Sequence, residues 1–381
     1  MQILELMNTN SNWKEIIQAE PYFIKIKQDG DYILLEYNQL ASDFNEPIVR
    51  ECRGSIFRQE GAQWICVCHP FDKFGNYGES YVPEIDWQTA IVYEKIDGSL
   101  MKMWYDRGEW HLSTNGTIDA FKAPLGDFGM SFGDYFCEIL KSKVNEFVDY
   151  ETTPTQVWNM LCCSFRKYKT YMFEMVGPKN RVVINYEKPD IYLLGARNIN
   201  THEEIDVLSI FFHALLNKPK IYHLRTLEDC MVAAKNMSKD EEGFVVCDGN
   251  FNRAKIKSPE YLMAARLRNN GVITRRRLLQ IIWEGKGDDF VSYCPQYRTE
   301  TENMLDKYLE YVDYLYCLKK QFAQYKSLHR HEYWELAKKY GYHSDFIMKN
   351  YDNDLSVNEY ITHQVELRGI DWLLERIDPV D

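Results

Sequence analysis

The stretch Glu94-Lys95-Ile96-Asp97-Gly98-Ser99-Leu100 lies between two short runs of strand-forming residues, Ala90–Tyr93 and Leu100–Tyr105. Two interpretations of it are open. In the first, Asp97-Gly98 is a plain turn between paired strands and Lys95 is a solvated neighbour. In the second, Lys95 is an amine nucleophile whose pKa is lowered by nearby cations and partly dry walls, and Gly98 lets the backbone approach a phosphate or ribose. On this stretch alone the sequence favours the turn.

Short strand-like runs continue on both sides, up to about residue 261. They alternate with helical spacing at 127–150 and 205–216 too irregularly for a doubly wound parallel sheet, and so predict a mixed α+β domain. After residue 261 the apolar period becomes helical, most clearly from Leu305 to Phe322. We therefore predict two domains, 1–261 and 262–381, of which the second is all-α. The strand-like runs are Tyr32–Tyr37, Ala90–Tyr93, Leu100–Tyr105, Met172–Val176, Ile191–Leu194 and Phe244–Cys247.

The composition is that of an ordinary globular chain. Its 381 residues carry 45 Lys+Arg against 57 Asp+Glu, a formal net charge of −12, which argues against a protein that coats nucleic acid through bulk electrostatics. The sequence has neither an apolar run of 18 residues nor a signal-peptide pattern. We therefore expect a cytoplasmic protein with no membrane partner. The 10 cysteines follow no repeating CxxC pattern and are expected to be reduced thiols.

Further segments accompany Lys95-Ile96-Asp97-Gly98 in a fixed order. They are Glu51-Cys52-Arg53-Gly54, Asp72-Lys73-Phe74, Phe173-Glu174-Met175-Val176 followed by Asn180-Arg181-Val182-Val183, Glu242-Gly243-Phe244-Val245, and Lys255-Ile256-Lys257 with Tyr261. In these motifs, which cover roughly residues 30–261, the chain resembles the ATP-dependent RNA ligase 1 family of tailed phages. A chance match of six ordered elements is far less frequent than a match of one.

This resemblance implies a fold, a reaction and cofactors. The fold is the covalent nucleotidyltransferase fold, in which two antiparallel sheets with flanking helices enclose an ATP cleft. In the reaction, Lys95 attacks the α-phosphorus of ATP, the lysyl-AMP passes AMP to an RNA 5′-phosphate, and a 3′-hydroxyl then displaces AMP. ATP and Mg²⁺ or Mn²⁺ are the implied cofactors, and a phage-infected or bacterial cell is the implied setting.

The resemblance also assigns cations to the phosphates, where expulsion of pyrophosphate concentrates negative charge. Lys255 and Lys257 lie two residues apart and so face one side of a strand. Arg53 has a planar fork suited to the 5′-phosphate or the nucleotide phosphates, and Lys73 is implied to line the same surface. The structural alternatives are a solvated edge strand for the lysines and an ion pair for Arg53.

Two glutamates receive roles from the same resemblance. Glu174 is implied to bind the ribose hydroxyls, and Glu242 to hold the metal directly or through water, because Mg²⁺ keeps most of its waters. Asp97 orients the surroundings of the nucleophile or serves the metal, and Tyr261 either hydrogen-bonds near the phosphates or packs in the core. The implied ATP site is thus Lys73, Asp97, Gly98, Glu174, Glu242, Lys255, Lys257 and Tyr261.

At two positions the chain departs from the family pattern. Gly75 stands where the family tends to carry an aromatic residue, two residues after Lys73, so a stacking contact is in question. Asn115 precedes Gly116 where the family commonly has a lysine. A cation near the nucleotide is therefore missing, supplied from elsewhere, or placed on a different phosphate.

The region after residue 262 matches no pattern of its own, and the resemblance associates it with tRNA-type substrates. Its stretch 262–299 carries seven basic residues against three acidic ones. Among them, Arg266, Arg268, Arg275 and Arg276 are predicted to contact RNA phosphates, with a solvated helix face as the alternative. The expected partner is RNA, as nicked tRNA or single-stranded ends, and the sequence leaves protein partners open.

The leading hypothesis is therefore an ATP-dependent RNA ligase that repairs nicked structured RNA. A nucleotidyltransferase for another nucleotide or acceptor, such as a capping-type guanylyltransferase, is the second. It is weakened because no further β-rich region that could form an OB-fold follows the motifs. An RNA-binding module that has lost the reaction is the third, and the intact set of motif residues argues against it.

Overall fold

The computed structural model describes residues 1–39, 41–126, 128–147, 151–210, 216–238, 240–258, 274–283, 287, 290–291, 297–353 and 355–378. The chain divides into two compact units, one comprising Met1–Tyr37 with Ser42–Gly271 and the other Asn38–Ala41 with Val272–Asp381. The predicted boundary at 261/262 lies outside the described residues, as do Tyr261, Arg266 and Arg268. These remain predictions.

The first unit begins with a sheet formed entirely ahead of Lys95. Strands β1 (Lys25–Asp29), β2 (Tyr32–Glu36), β3 (Arg53–Glu60) and β4 (Gln63–Cys68) pair in that order, all antiparallel. Helices α1 (Gln2–Thr9), α2 (Trp13–Gln18) and α3 (Pro47–Glu51) cover one of its faces. The shared core contains Ile3, Ile17, Leu35, Val49 and Phe57. Arg53 is therefore fixed at the start of a buried strand.

Two further antiparallel sheets form after it. Strands β5 (Ile91–Glu94), β6 (Ser99–Asp106), β7 (Glu109–Thr114), β8 (Lys169–Val176), β9 (Asp190–Asn198), β10 (Glu204–Ile205), β11 (Ile221–Tyr222), β12 (Gly243–Cys247) and β13 (Arg253–Lys257) follow along the chain. One sheet has the order β10-β9-β8-β6-β7 and the other β11-β5-β12-β13. The segment 95–98 therefore passes from the second of these sheets into the first.

Three helices pack on these sheets. Helix α4 (Phe132–Asn145) starts at a capping box formed by Ser131 and Asp134, and α5 (Pro154–Ser164) at one formed by Thr153 and Gln156. Both bury apolar side chains against the five-stranded sheet, whereas α6 (Leu227–Lys235) covers the four-stranded sheet that holds β12 and β13.

All the regular secondary structure described in the second unit after residue 273 is helical. It contains α7 (Arg275–Trp283), α8 (Arg298–Ala323), α9 (Arg330–Ala337), α10 (Ser344–Asn353), α11 (Val357–Arg368) and α12 (Ile370–Ile377). The predicted apolar face of α8 is buried at Tyr308, Val312, Leu315 and Phe322. Gly369, with a φ of 79°, separates α11 from α12.

The predicted α+β class, the antiparallel sheets with flanking helices and the helical C-terminal region are confirmed. The described residues form three sheets rather than two, because β1–β4 pair among themselves before the chain reaches Ile91. None of the helices described here combines the length and apolar character that a membrane crossing requires.

Candidate active site

Lys95 lies on a link between two sheets. Strand β5 before it pairs with β12, and β6 after it pairs with β8, so β5 and β6 are not partners. The simple hairpin turn that the local sequence favours is therefore wrong. The backbone N–H of Lys95 donates to the carbonyl of Gly243 at 2.9 Å, which fixes the lysine beside the start of β12.

The Lys95 amine faces a carboxylate that a second lysine shares. Lys95 Nζ donates to Glu242 Oε2 at 2.6 Å, and Lys257 Nζ lies 3.3 Å from Glu242 Oε1. The side chain of Glu242 is only 3% exposed, and those of Lys257 and Lys95 are 8% and 19% exposed. Burial of a carboxylate is costly unless cations pair with it. The three residues therefore form one charged unit, and the strand pairing of Gly243 with Lys257 brings them together.

Asp97 anchors the neighbouring loop. Its Oδ2 accepts hydrogen bonds from the backbone N–H groups of Val183 and Ile184, each at 2.8 Å, and its own N–H donates to Tyr186 Oη at 3.2 Å. Burial and then the charge of Glu242 raise the pKa of the Asp97 carboxyl. These contacts favour the first of its two predicted roles, orienting the surroundings of the nucleophile.

Gly98 is held against strand β8. Its N–H donates to Glu174 Oε1 at 3.1 Å, and a Cβ at this position would come within 2.3 Å of the Met175 carbonyl oxygen. Gly98 thus makes a close approach to a strand of the sheet, and its predicted approach to a phosphate or ribose stays a prediction. Only glycine fits there without moving the backbone.

We expect Gly98→Ala to destabilise the fold by about 1–3 kcal/mol, because backbone atoms of β8 must shift to admit the methyl group. Thermal unfolding measures the effect. Gly116→Ala is the matched control, since its Cβ would meet nothing closer than the flexible end of Lys27 at 3.4 Å. Equal unfolding temperatures for the two variants would contradict the close packing at Gly98.

Glu174 lies on β8 opposite Leu100 of β6. Burial raises the pKa of its carboxyl to about 8, the charge of Lys95 opposes this rise, and that of Glu242 adds to it. This shift favours the protonated carboxyl near neutral pH. In that form it can both donate to and accept from a diol such as ribose.

The raised pKa of Glu174 predicts a pH dependence of stability. Between the unfolded pKa near 4.5 and the folded pKa of about 8, the unfolded chain releases this proton while the folded chain keeps it. The contribution of Glu174 to stability therefore falls as pH rises through that window. We expect wild type to lose more thermal stability than Glu174→Gln between pH 5 and 8. Parallel curves for the two proteins would contradict the assignment.

Cations line one face of strand β13. Arg253, Lys255 and Lys257 alternate with Ala254 and Ile256, which lie in the core. The predicted shared face of Lys255 and Lys257 is thus present in the structure, and Arg253 extends it.

Arg53 and Lys255 approach one aromatic ring. The Phe74 centroid is 5.4 Å from the Arg53 guanidinium carbon and 5.4 Å from Lys255 Nζ, which is cation–π distance. Arg53 Nη1 is buried without a hydrogen-bond partner in the described part of the chain. Buried donors are rarely left unmet, so this atom fits the predicted role of binding a phosphate better than the alternative of a structural ion pair.

Lys73 is mostly buried above two further rings. Its Nζ lies 4.6 Å from the Phe44 centroid and 5.5 Å from that of Tyr37. The aromatic faces stabilise its charge without a carboxylate, which leaves it available to an anion.

The structure shows what surrounds each of the two departures. A Cβ on Gly75 would lie 2.1 Å from Glu79 Oε2 and 2.5 Å from Tyr81 Oη, so an aromatic residue there requires the Glu79 and Tyr81 side chains to move. Beside the Asn115 backbone, Lys102 Nζ donates to the Gly54 carbonyl at 2.5 Å, and this lysine is fully buried. Burial lowers the pKa of Lys102 to about 8.

Comparison of the sequence with protein families identifies its relatives. A family model described as RNA ligase, of the T4 type 1, matches residues 51–261, more than half of the chain. The chain belongs to this RNA ligase family. The resemblance inferred from its motifs is confirmed.

Two relatives extend the comparison. A protein of Autographa californica nuclear polyhedrosis virus, described as a bifunctional polynucleotide kinase/RNA ligase, is 29% identical to this chain over 304 residues. The alignment covers 76% of this chain and 41% of the viral protein. The RNA ligase of Rhodothermus phage RM378 is 27% identical over 329 residues, covering 70% and 71%. This chain thus spans about two fifths of the baculovirus relative. An archaeal ATP-dependent RNA ligase structure aligns at a TM-score of 0.43 and 14% identity, over 80% of this chain and 78% of that one, too weakly to support an inference.

In this RNA ligase family member, two of the arginines predicted to contact RNA already form ion pairs within the helical unit. Arg275 forms an ion pair with Asp378, and Arg276 Nε lies 2.6 Å from Asp371 Oδ1. Both arginine side chains are about half exposed. Their RNA role stays a prediction, and an RNA phosphate would have to share or displace these carboxylates.

Two residues beside the site were not predicted from the sequence. Lys102 is fully buried within a strand-like run, and only the presence of a charge in that run could have singled it out. Tyr186 follows the Asn180–Val183 motif, but its contact with Asp97 depends on a loop whose course no local pattern reveals.

Proposed function

We propose that this protein is an ATP-dependent RNA ligase that joins a 5′-phosphate to a 3′-hydroxyl through lysyl-AMP and RNA-adenylate intermediates. The main support is the arrangement of Lys95, Glu242 and Lys257. The Lys95 amine, on the link between two sheets, is 2.6 Å from a buried carboxylate that a second lysine shares. A nucleophile, a proton acceptor and a cation for phosphate thus stand together.

The first step follows from this arrangement. Lys95 must lose a proton to attack phosphorus, and Glu242 Oε2 is within hydrogen-bond reach to receive it. The new N–P bond replaces the P–O bond to pyrophosphate, which leaves with additional negative charge. Lys255, Lys257 and Arg53 supply fixed positive charge for it.

The nucleoside part is positioned by β8 and the neighbouring link. Glu174, whose carboxyl has a pKa of about 8, offers the ribose hydroxyls both an acceptor and, near neutral pH, a donor. Asp97 holds the loop 180–184 in place through two backbone hydrogen bonds. We assign Asp97 a positioning role.

The residues fit a divalent cation held mainly by water and phosphate. Glu242 is a buried carboxylate at the reaction centre, and no group of three His, Cys, Asp or Glu forms a ready metal cage within the described ranges. Mg²⁺ commonly binds through one or two carboxylates together with substrate phosphates and waters. Glu242 would hold Mg²⁺ or Mn²⁺ directly or through water, and the metal would neutralise charge on the phosphates.

In the later steps, AMP passes from Lys95 to an RNA 5′-phosphate and a 3′-hydroxyl then displaces it. Nicked tRNA or single-stranded RNA ends are the proposed substrates. Region 262–381 is the proposed substrate-specificity domain, through Arg266, Arg268, Arg275 and Arg276.

A joining assay tests this function. RNA with a ³²P-labelled 5′-phosphate and a 3′-hydroxyl is incubated with the protein, Mg²⁺ and either ATP or GTP. The proposal predicts that the label becomes resistant to phosphatase with ATP only. Joining or covalent labelling with GTP alone would favour a guanylyltransferase-type enzyme, and RNA binding without either reaction would favour a binding module.

A further inference from the structure

A cavity of about 650 Å³ opens beside the reaction centre within the first unit. Its lining includes Arg50, Lys73, Phe74, Tyr81, Phe251 and Arg253, and we call it the Arg50 pocket. Its volume lies in the range of small-molecule sites. Lys95, Glu174 and Glu242 are not among its lining residues, so it is distinct from the place where AMP would be attached.

Two cations of this pocket have no carboxylate partner in the described part of the chain. Arg50 Nη1 donates to the carbonyls of Phe44 and Asn45, at 2.6 and 2.9 Å, and Lys73 lies over aromatic rings. The Lys73 N–H donates to the Arg50 carbonyl at 2.9 Å, so the two residues occupy adjacent segments. This wall of the pocket therefore carries uncompensated positive charge.

The arginines of another wall are already neutralised. Arg197 pairs with Asp72 at 2.9 Å and with Glu204 at 2.8 Å, and Arg253 pairs with the other oxygen of Glu204. Because carboxylates already neutralise Arg197 and Arg253, Arg50 and Lys73 are the cations of the pocket that attract an anion most strongly.

Aromatic rings form a further part of the pocket lining. Phe74, Tyr81 and Phe251 are partly exposed in its lining. Phe251 has a φ of 62°, a conformation that bulky residues rarely adopt. Hydrogen bonds from Phe251 N to Asp248 O and from Asp248 N to Asn252 O hold this turn. Ring faces of this kind stack on nucleobases irrespective of sequence.

Strand β13 connects the pocket with the reaction centre. Lys257 pairs with Glu242, Lys255 lies against Phe74, and Arg253 lines the pocket. Four residues of antiparallel strand span about 13 Å. The β- and γ-phosphates of ATP extend only two phosphoanhydride links beyond the α-phosphorus and do not cover that distance, whereas a polynucleotide does. Pyrophosphate also contains no ring that could stack on the aromatic side chains of the pocket.

We propose that the Arg50 pocket binds one nucleotide of the RNA strand close to the end being joined. Arg50 contacts its phosphate, joined by Lys73 once pyrophosphate has left, and the base lies against Phe251 and the neighbouring rings. This inference rests on the proposed RNA ligase function and adds to it a place where the strand is held.

The test measures binding of a fluorescein-labelled, single-stranded RNA with a 3′-hydroxyl to the full chain, by anisotropy over a range of salt concentrations. Arg50→Gln is expected to weaken binding and to reduce the salt slope by about 0.7, the value for one phosphate contact on a single strand. Arg50→Lys should keep the slope. Phe251→Asn, which suits a positive φ, should weaken binding about tenfold at unchanged slope, because it removes one stacking ring.

Arg107→Gln is the matched control, since Arg107 is a half-exposed arginine paired with Asp31 outside the pocket. Wild-type affinity and slope in both Arg50→Gln and Phe251→Asn would overturn the proposal. So would a raised KM for ATP with unchanged RNA affinity, which would assign the pocket to the ATP phosphates. If wild type binds RNA at the pocket but neither joins RNA nor takes up AMP, the proposed enzyme fails while the pocket stands.

Discussion

Lys95→Ala is expected to abolish covalent attachment of AMP, with a loss on the order of 10⁴-fold or more, as for removal of other covalent nucleophiles. No neighbouring lysine can replace it. Lys257 is turned to the second oxygen of Glu242 and Lys255 lies against Phe74. The measurement is the amount of acid-labile ³²P retained on the protein after incubation with α-³²P-ATP and Mg²⁺.

A folding defect is separated from a chemical one in two ways. Lys141→Ala removes a lysine that also pairs with a single glutamate, Glu151, at 2.7 Å, and it should retain full labelling. RNA supplied already as the 5′-adenylate needs no nucleophile on the protein, so Lys95→Ala should still join it. Wild-type labelling in Lys95→Ala would refute the assignment of the nucleophile.

Glu242→Gln is expected to lower the rate of AMP attachment about 10²–10⁴-fold, the usual contribution of a general base. It should also destabilise the fold by about 3–5 kcal/mol, because a buried charge is left without its partner. Lys95 and Lys257 would then face each other across a neutral amide. Single-turnover labelling and thermal unfolding measure the two effects separately.

The control is Asp378→Asn in the helical unit. Asp378 is also a mostly buried carboxylate between two cations, Arg275 and Lys307. This variant should lose stability and keep its rate of AMP attachment per folded molecule. If Glu242→Gln behaved in the same way, Glu242 would be a structural residue only.

The sequence predicts helices well where buried apolar residues recur at regular intervals. Tyr308, Val312, Leu315 and Phe322 repeat at helical intervals, and α8 forms where they indicate. Helix α5 is the contrasting case, because 151–170 shows no period. Only Val157 and Leu161 of this helix are fully buried, too few to produce a pattern. The capping box at Thr153 and Gln156 was its available signal.

The predicted site residues lie near one another in the structure, but the sequence does not predict the architecture that brings them together. The order of motifs identified Lys95, Glu174, Glu242 and Lys257, and the structure places each beside the link or on a strand next to it. The crossing of 95–98 between sheets depends on β5 pairing with β12 about 150 residues later. Local patterns contain no information on such a pairing, which is why the same residues also looked like a hairpin turn.

The Arg50 pocket lay outside prediction for the same reason. It joins segments near residues 50, 73, 81, 197 and 251. Asp72-Lys73-Phe74 is one of the motifs, but no local pattern shows that these segments meet. Only the folded chain shows which cations are neutralised by carboxylates and which are not.

The most direct test of the account is intact-mass analysis of the wild-type protein after incubation with ATP and Mg²⁺, followed by peptide mapping. We expect the addition of one AMP, located on the peptide that contains Lys95 and removed by pyrophosphate with release of ATP. An adduct on Lys255 or Lys257 would contradict it. So would unmodified protein both before and after incubation.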